Sequence, residues 1–178
     1  MSATAADGYL AHESLRDGTE VVIRPIRSED APAILAAFGN LDRESVYRRF
    51  FSPKKELSDA ELRQLTDIDF DRVVALVVTA QTSNGETLIA GGRYAVEPGD
   101  GPKSAELAFL TAGTYRGLGV ASLLLRHLVK LARETGLSAF GADVLAENEA
   151  MLNVFRSSGL PMTQHRDGST LHITLSLA

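Results

Sequence analysis

Residues 114–122 read TYRGLGVAS, two glycines one residue apart, directly before the leucine-rich run LLLRHLVKLA. The first backbone N–H groups of a helix lack internal partners, and the aligned peptide dipoles add partial positive charge there, so such a junction suits a phosphate. Gly117 and Gly119 would let a ligand approach that backbone closely. The same glycines also serve a plain turn into a helix, and the surrounding sequence has to decide between the two.

Downstream of the glycines, Ala121, Leu124, Leu125, Leu128, Leu131 and Ala132 recur at helical spacing opposite Arg126, Lys130 and Arg133. This predicts a long amphipathic helix over about 118–135, ended by Gly136. Upstream, RVVALVVTA, ETLIAGGRYAV and SAELAFLT are rich in β-branched and apolar residues and are joined by the short turn-forming links SNG and EPGDGP. They read as three antiparallel strands. SLRDGTEVVIRPI reads as a hairpin turning at Asp17 and Gly18, and a first helix is expected over about 29–39 with Ser28 as its cap. Further helices are expected in DRESVYRRF and from SDAELRQL, where Ser58 and Glu61 have capping-box spacing, with FFSPKK as the loop between them. After the long helix come a strand at SAFGADVL, a helix at NEAMLNVFRSSG, and a final pair, PMTQHR and STLHITLSL, turning at Asp167 and Gly168.

The expectation is one α+β domain over 13–178 behind a small, polar tail at 1–12, with a mixed sheet of six to seven strands flanked by about four helices. The sheet should be parallel where the long helix crosses over. A length of 178 residues suits one domain, and 44% hydrophobic with 23% charged residues matches ordinary globular composition rather than a disordered or membrane chain. The longest apolar runs fall short of a bilayer span and the N-terminus lacks a basic region followed by an apolar one, so a cytoplasmic protein is expected. With no cysteine, disulfides, thiolate nucleophiles and sulfur-ligated metals are excluded. A net charge of −5 argues against general nucleic-acid binding. His12, His127, His165 and His172 show no metal spacing, and no metal is expected.

Two phosphate-binding motifs compete for the glycine stretch and fit poorly. A dinucleotide fingerprint GxGxxG would have Ser122 in its third place and Asp143 as its ribose acid, but TAGTY separates the glycines from their strand, and the preceding strands read as antiparallel. A Walker loop would need a Gly-Lys-Ser/Thr that is absent.

RGLGVA, at 116–121, resembles instead the R/Q-x-x-G-x-G/A pyrophosphate-binding motif of the GNAT acyl-CoA-dependent N-acetyltransferases, with Arg116, Gly119 and Ala121 in its fixed places. The order of elements is similar to that family over roughly 19–177, and VLAENEAMLNVFRSSGL, with Asn148 and Gly159, resembles its second conserved block. LRDGTEVVIRPIRSED, YRRFFSPKKELS, AGGRYAV and AELAFLTAGTYRGLGVA are similar to the acetyltransferase domain of bacterial Pat-type protein lysine acetyltransferases, which acylate lysines on enzymes such as acyl-CoA synthetases.

The resemblance implies acetyl-CoA as acyl donor and a protein lysine as acceptor. A free lysine has a pKa of about 10.4, so a base must take its proton before attack. Glu106 lies among Ala105, Leu107, Ala108 and Phe109, a setting expected to be apolar, and a glutamate at this place is the base in the resembling domains. The competing reading is an outward-facing strand glutamate in an ion pair. Phe109, Leu110 and Thr111 would pair their backbone with the pantetheine amides, and an N–H of Leu110 or Thr111 would stabilise the oxyanion. Arg116, Gly117, Leu118, Gly119, Val120, Ala121 and Ser122 would hold the pyrophosphate. Asn148 would contact the cofactor, cap the last helix, or do both.

Phe155 stands where many GNAT enzymes have a tyrosine that protonates the departing thiolate, which leaves the general acid unassigned. Asp67, Asp69 and Asp71 read as a solvated loop, and Arg48, Arg49, Lys54 and Lys55 around Phe50 and Phe51 as a charged loop over core phenylalanines. The alternatives are a small-molecule amine or amino-acid acetyltransferase on the same fold and a non-catalytic acyl-CoA sensor.

Overall fold

The structure is a computed structural model and describes residues 8–34, 72–83, 85–99, 103–111 and 117–177. Eight strands form one sheet in the order β1-β2-β3-β4-β5-β6-β8-β7. Strands β1 (Ala11–Ser14), β2 (Glu20–Pro25), β3 (Val73–Thr82), β4 (Gly85–Val96) and β5 (Ser104–Thr111) are successive antiparallel neighbours. Helix α1 (Val120–Glu134) crosses over to β6 (Ala139–Leu145), which pairs in parallel with β5. Helix α2 (Glu149–Arg156) leads to β7 (Met162–Asp167), which turns back into β8 (Thr170–Ser176) between β6 and β7. The mixed sheet and its single parallel junction are those read from the sequence, with one or two strands more than expected.

The edge strand β1, the first arm of the expected hairpin, is only four residues long. It is fastened by side chains: His127 Nε2 lies 3.0 Å from Glu13 Oε1, Arg126 reaches the same oxygen at 2.9 Å, and Tyr9 Oη hydrogen-bonds His127 Nδ1. Burial alone would raise the Glu13 carboxyl, but the hydrogen bonds from His127 and Arg126 outweigh it and hold the group below its usual range. Tyr9, Ala11 and His12, which composition alone assigns to the N-terminal tail, therefore belong to or pack beside the sheet edge.

Helix α1 buries a wider face than the predicted stripe. Leu123, His127 and Val129 are buried along with Leu124, Leu125, Leu128, Leu131 and Ala132, whereas Ala121 is half-buried. The helix packs on β3, β4 and β5 and also against α2 and the Tyr9 segment, so more than one face is covered. Arg126, Lys130 and Arg133 are exposed, as the periodicity required. Gly136, at φ 83°, sits just beyond the last turn, and its N–H donates to the Arg133 carbonyl.

The other face of the sheet carries a small cluster of Ile26, Ala75 and Val77, with Ile34 and Leu88 packed against it. Here the first helical segment opens differently from expectation. A 3-10 turn (Ser28–Asp30) precedes helical residues 31–34, and the Asp30 carboxylate, not Ser28, accepts the Arg27 N–H at 2.8 Å. Asp30 is chosen because it also receives a two-pronged hydrogen bond from the buried Arg24, at 2.8 and 2.7 Å. The helices expected within 42–50 and from 58, the loop between them and the aspartates at 67–71 lie outside the described residues. The last hairpin turns at Gly168 and Ser169, one residue later than expected, because Asp167 still pairs with Thr170.

Arg24 and Asp30 have side chains only 8% and 9% exposed. Burial alone would raise the Asp30 carboxyl, yet hydrogen bonds from Arg24 and the Arg27 amide keep it below the usual carboxylate range. Its stabilising contribution is thus complete above the ordinary aspartate value of about 3.9 and is lost as pH falls through the lowered native value. Asp30→Ala leaves a buried guanidinium short of a partner and should cost roughly 3–5 kcal/mol in urea unfolding at neutral pH. The variant's stability should also fall less steeply than that of the parent below about pH 4.

Candidate functional site

The parallel pairing of β5 with β6 lasts for three residue pairs, Ser104↔Ala139, Ala105↔Phe140 and Glu106↔Gly141. Beyond Glu106 the strands separate, while β5 stays paired to β4 as far as Thr111 and β6 to β8 as far as Leu145. The opening is a cleft of about 560 Å³, its mouth included, walled by Glu106, Leu107, Ala108 and Phe109 on one side and Ala142, Asp143 and Val144 on the other. Asn148, Met151 and Phe155 complete it from α2 and the residue before it. On its β6-facing side β5 here presents peptide groups without partners among the described residues, which suit an extended ligand carrying amides.

The β5 wall continues in sequence to the glycine stretch. Gly117 and Gly119 have φ of 78° and 88°, a left-handed backbone that glycine adopts without a Cβ penalty. Gly119 occupies the position before α1 with no side-chain cap, and the first turn of the helix carries no acidic residue. The first intrahelical bond runs from the Leu123 N–H to the Gly119 carbonyl at 3.0 Å, which leaves the N–H groups of Val120, Ala121 and Ser122 without helical partners. A diphosphate fits this arrangement: the donors have no side-chain cap, the dipole end faces no acidic residue of the first turn, and the side chain lying against Gly119 is the cationic Arg16. Leu118 is half-buried against the core. Arg116 lies outside the described residues, as does the side chain of Thr111.

Sequence reasoning passed over Arg16. Its amide donates to the Leu118 carbonyl at 3.1 Å, and its Nε lies 3.2 Å from the point a Cβ on Gly119 would occupy. The LRDG stretch signals a hairpin, and only the folded chain shows that this hairpin rests on the glycine loop.

Phe109 and Phe155 face each other across the cleft with ring centroids 6.4 Å apart. Phe155 is 1% exposed and has no hydroxyl to offer the site. Asn148 is buried, and its Oδ1 accepts the Met151 N–H at 3.2 Å while the residue also lines the cleft. Capping, one of its two predicted roles, is thereby established.

Glu106 is exposed, contrary to the apolar setting expected from its neighbours. The reason is the two-residue period of a strand: Ala105 and Leu107 point into the core and Glu106 points to the other face. On that face Arg93 lies on the diagonal, its strand partner being Ala108 and that of Glu106 being Ala95. Burial pulls the Arg93 guanidinium below its usual range, and the Glu106 carboxylate opposes that shift. Asp143, the ribose acid of the rejected dinucleotide reading, is instead a cleft residue on this same face. Among the described residues no three His, Asp or Glu side chains form a metal-binding group, and no helix is long and apolar enough to cross a membrane.

A sheet opened beside a parallel junction, next to a glycine loop and a long helix, is the architecture of an acyl-CoA-dependent transferase. The Acetyltransferase (GNAT) domain model matches residues 20–161, and the chain belongs to the GNAT acetyltransferase family. It is similar to an acetyltransferase of Pseudomonas aeruginosa, 34% identical over 93% of this chain and 88% of that protein. It is also similar to the acetyltransferase Pat of Mycolicibacterium smegmatis, 30% identical over 82% of this chain but only 42% of that longer protein. Among solved structures, the GNAT domain of S. lividans PAT superposes with a TM-score of 0.83 at 35% identity, covering 94% of this chain and 96% of that one. The family uses acetyl-CoA as acyl donor, and the cleft and glycine loop fit that molecule.

Phe109 reaches its place only because residue 92 lacks a side chain: a Cβ on Gly92 would stand 2.9 Å from Phe109 Cδ1 and 3.3 Å from Leu128 Cδ1. Gly92→Ala should therefore displace the Phe109 ring and lower stability by roughly 1–3 kcal/mol. Thermal unfolding together with the aromatic NMR shifts of Phe109 and Phe155 measures both effects.

Proposed function

We propose that this protein transfers an acetyl group from acetyl-CoA to the side-chain amine of a lysine on a protein, an acyl-CoA synthetase being the expected kind of acceptor, with Glu106 as general base. The observation that carries the reading is the parting of β5 and β6 immediately after Glu106, with that residue in the lining of the cleft that opens there. The similarity to Pat proteins over most of the chain supports the lysine acceptor.

Acetyl-CoA supplies the activated thioester. The peptide groups of Phe109, Leu110 and Thr111 bind the pantetheine amides, and an N–H of Leu110 or Thr111 faces the carbonyl oxygen where negative charge develops. The pyrophosphate rests on the 116–122 backbone with Arg116 and the Ser122 hydroxyl as further partners, and Asn148 adds a polar contact from the α2 side. Glu106 accepts the proton of the acceptor ammonium, directly or through water, so that the neutral nitrogen attacks. The C–N bond forms, the C–S bond breaks, and the thiolate departs to be protonated by water, since Phe155 carries no proton. The chain has no cysteine, and among the described residues no serine hydrogen-bonds a histidine, which supports direct transfer. The cytoplasm, where acyl-CoA thioesters are formed, is the compartment this reaction requires.

Glu106→Gln should lower turnover about 10²- to 10⁴-fold while leaving CoA affinity unchanged. Release of free thiol, calorimetric CoA binding and mass-spectrometric mapping of acetyl-lysine on purified acyl-CoA synthetases report these quantities. Acetylation confined to free amino acids or polyamines would overturn the protein acceptor, and an unchanged rate in the variant would overturn the base. Gly119→Ala introduces a Cβ at φ 88° and against Arg16, costing on the order of 1–2 kcal/mol in backbone strain, and should weaken CoA binding measured by calorimetry.

A further inference from the structure

The face that carries Glu106 also holds a row of polar side chains farther across the sheet. The register pairs Asp143 on β6 with His172 on β8, and His172 in turn with His165 on β7. His172 Nδ1 donates to Asp143 Oδ1, its Nε2 lies 3.9 Å from Asp167 Oδ2, and its ring stacks on that of His165 with centroids 6.2 Å apart and planes 18° from parallel. His172 thus hydrogen-bonds one oxygen of Asp143, with the Asp167 carboxylate and the His165 ring on its other sides.

Asp143 keeps Oδ2 without a partner among the described residues and lines the cleft. Glu106 pairs in parallel with Gly141, so Glu106 and Asp143 share a face, with Asp143 two residues farther along the opposite wall. Arg93 faces Glu106 from the β4 side, whereas no lysine or arginine among the described residues pairs with Asp143.

We infer that Asp143, positioned by His172, is the carboxylate that captures the acceptor as an alkylammonium before Glu106 takes its proton. This rests on the reading of the cleft as an acyltransfer site with Glu106 as base. A lysine-type amine arrives almost wholly as its cation, since its pKa is about 10.4. The proton passes from nitrogen to Glu106, and Asp143 takes no part in that transfer. Its contribution therefore falls on acceptor binding and not on the acyl-transfer step, as expected of a group that holds the ground-state cation. The positioning by His172 matters because a carboxylate fixed at one oxygen offers the other in a defined direction at little further loss of side-chain freedom.

The probes are n-butylammonium, which reproduces the end of a lysine side chain, and n-pentanol, its neutral counterpart. Each is titrated into the ¹⁵N-labelled, CoA-saturated protein and followed by amide shifts. Butylammonium should give saturable shifts at residues 106, 142–144 and 172, and pentanol should not. Asp143→Asn should weaken butylammonium about tenfold, the loss of one charged contact. His172→Ala should weaken it by about threefold, and His172→Asn, whose amide N–H stands in for Nδ1–H, should restore most of the affinity. CoA affinity by calorimetry should be equal in all four proteins. Unchanged butylammonium affinity in Asp143→Asn, shifts centred elsewhere, equal response to pentanol, or no butylammonium binding to a protein that binds CoA would each overturn the inference. None of these outcomes touches the assignment of Glu106 as base, which stands or falls on the turnover of Glu106→Gln.

Discussion

The separation of β5 from β6 is the constraint on which the site depends. Two parallel strands whose pairing stops after three residue pairs would ordinarily close up, because each unpaired peptide group left in a protein interior is costly. They stay apart because each is committed on its outer side, β5 to β4 and β6 to β8, over the whole length of the gap. Phe109 and Phe155 face each other across it, and the Asn148 cap fixes the start of α2 at the cleft edge. The cleft is therefore held open by the rest of the sheet, and its exposed backbone is a binding surface built into the topology.

The same topology explains why α1 begins as it does. A helix start in a stable fold is usually closed by a serine, threonine or aspartate, and acidic residues in the first turn offset its dipole. Here the position before Val120 is a left-handed glycine, the first turn carries no acid, and Arg16 lies against the loop. Every local choice leaves positive potential unsatisfied, which is unfavourable for the free protein and favourable for one that binds a diphosphate. The stability needed to carry this comes from the remainder of α1, whose leucines are buried against the sheet.

What the sequence made legible follows from the range of the interactions involved. The β-branched runs, the 3.6-residue stripe of α1, the Asn148 cap and the positive-φ glycines are local signals, and the strands, the long helix and the parallel junction followed from them. The Arg-x-x-Gly-x-Ala spacing pointed to the family for the same reason. Contacts between distant segments left no such trace. Arg16 on the glycine loop, Tyr9 and Glu13 on His127, and His172 on Asp143 each join residues far apart in sequence, and only register and packing bring them together. The exposure of Glu106 is hidden in the sequence for a related reason: apolar neighbours in sequence are not neighbours in space when alternate residues face opposite sides.

That alternation also divides the chemistry. Along β5, Ala105, Leu107 and Phe109 face α1 and α2, where burial and aromatic packing make a dry floor, while Glu106 faces the opposite side with Arg93 nearby. Along β6, Phe140, Ala142 and Val144 join the core, and Asp143 turns to the face of Glu106. One face of each strand thus builds the apolar side of the cleft and the other supplies ionisable groups beside it. A ligand lying between the strands would meet both: backbone groups and apolar walls on one side, carboxylates on the other. Because the two sets of side chains alternate along the same strands, a shift of one residue in the β5–β6 register would exchange them. The three paired residues that end at Glu106 therefore place that carboxylate beside the cleft and define the register on which the whole division rests.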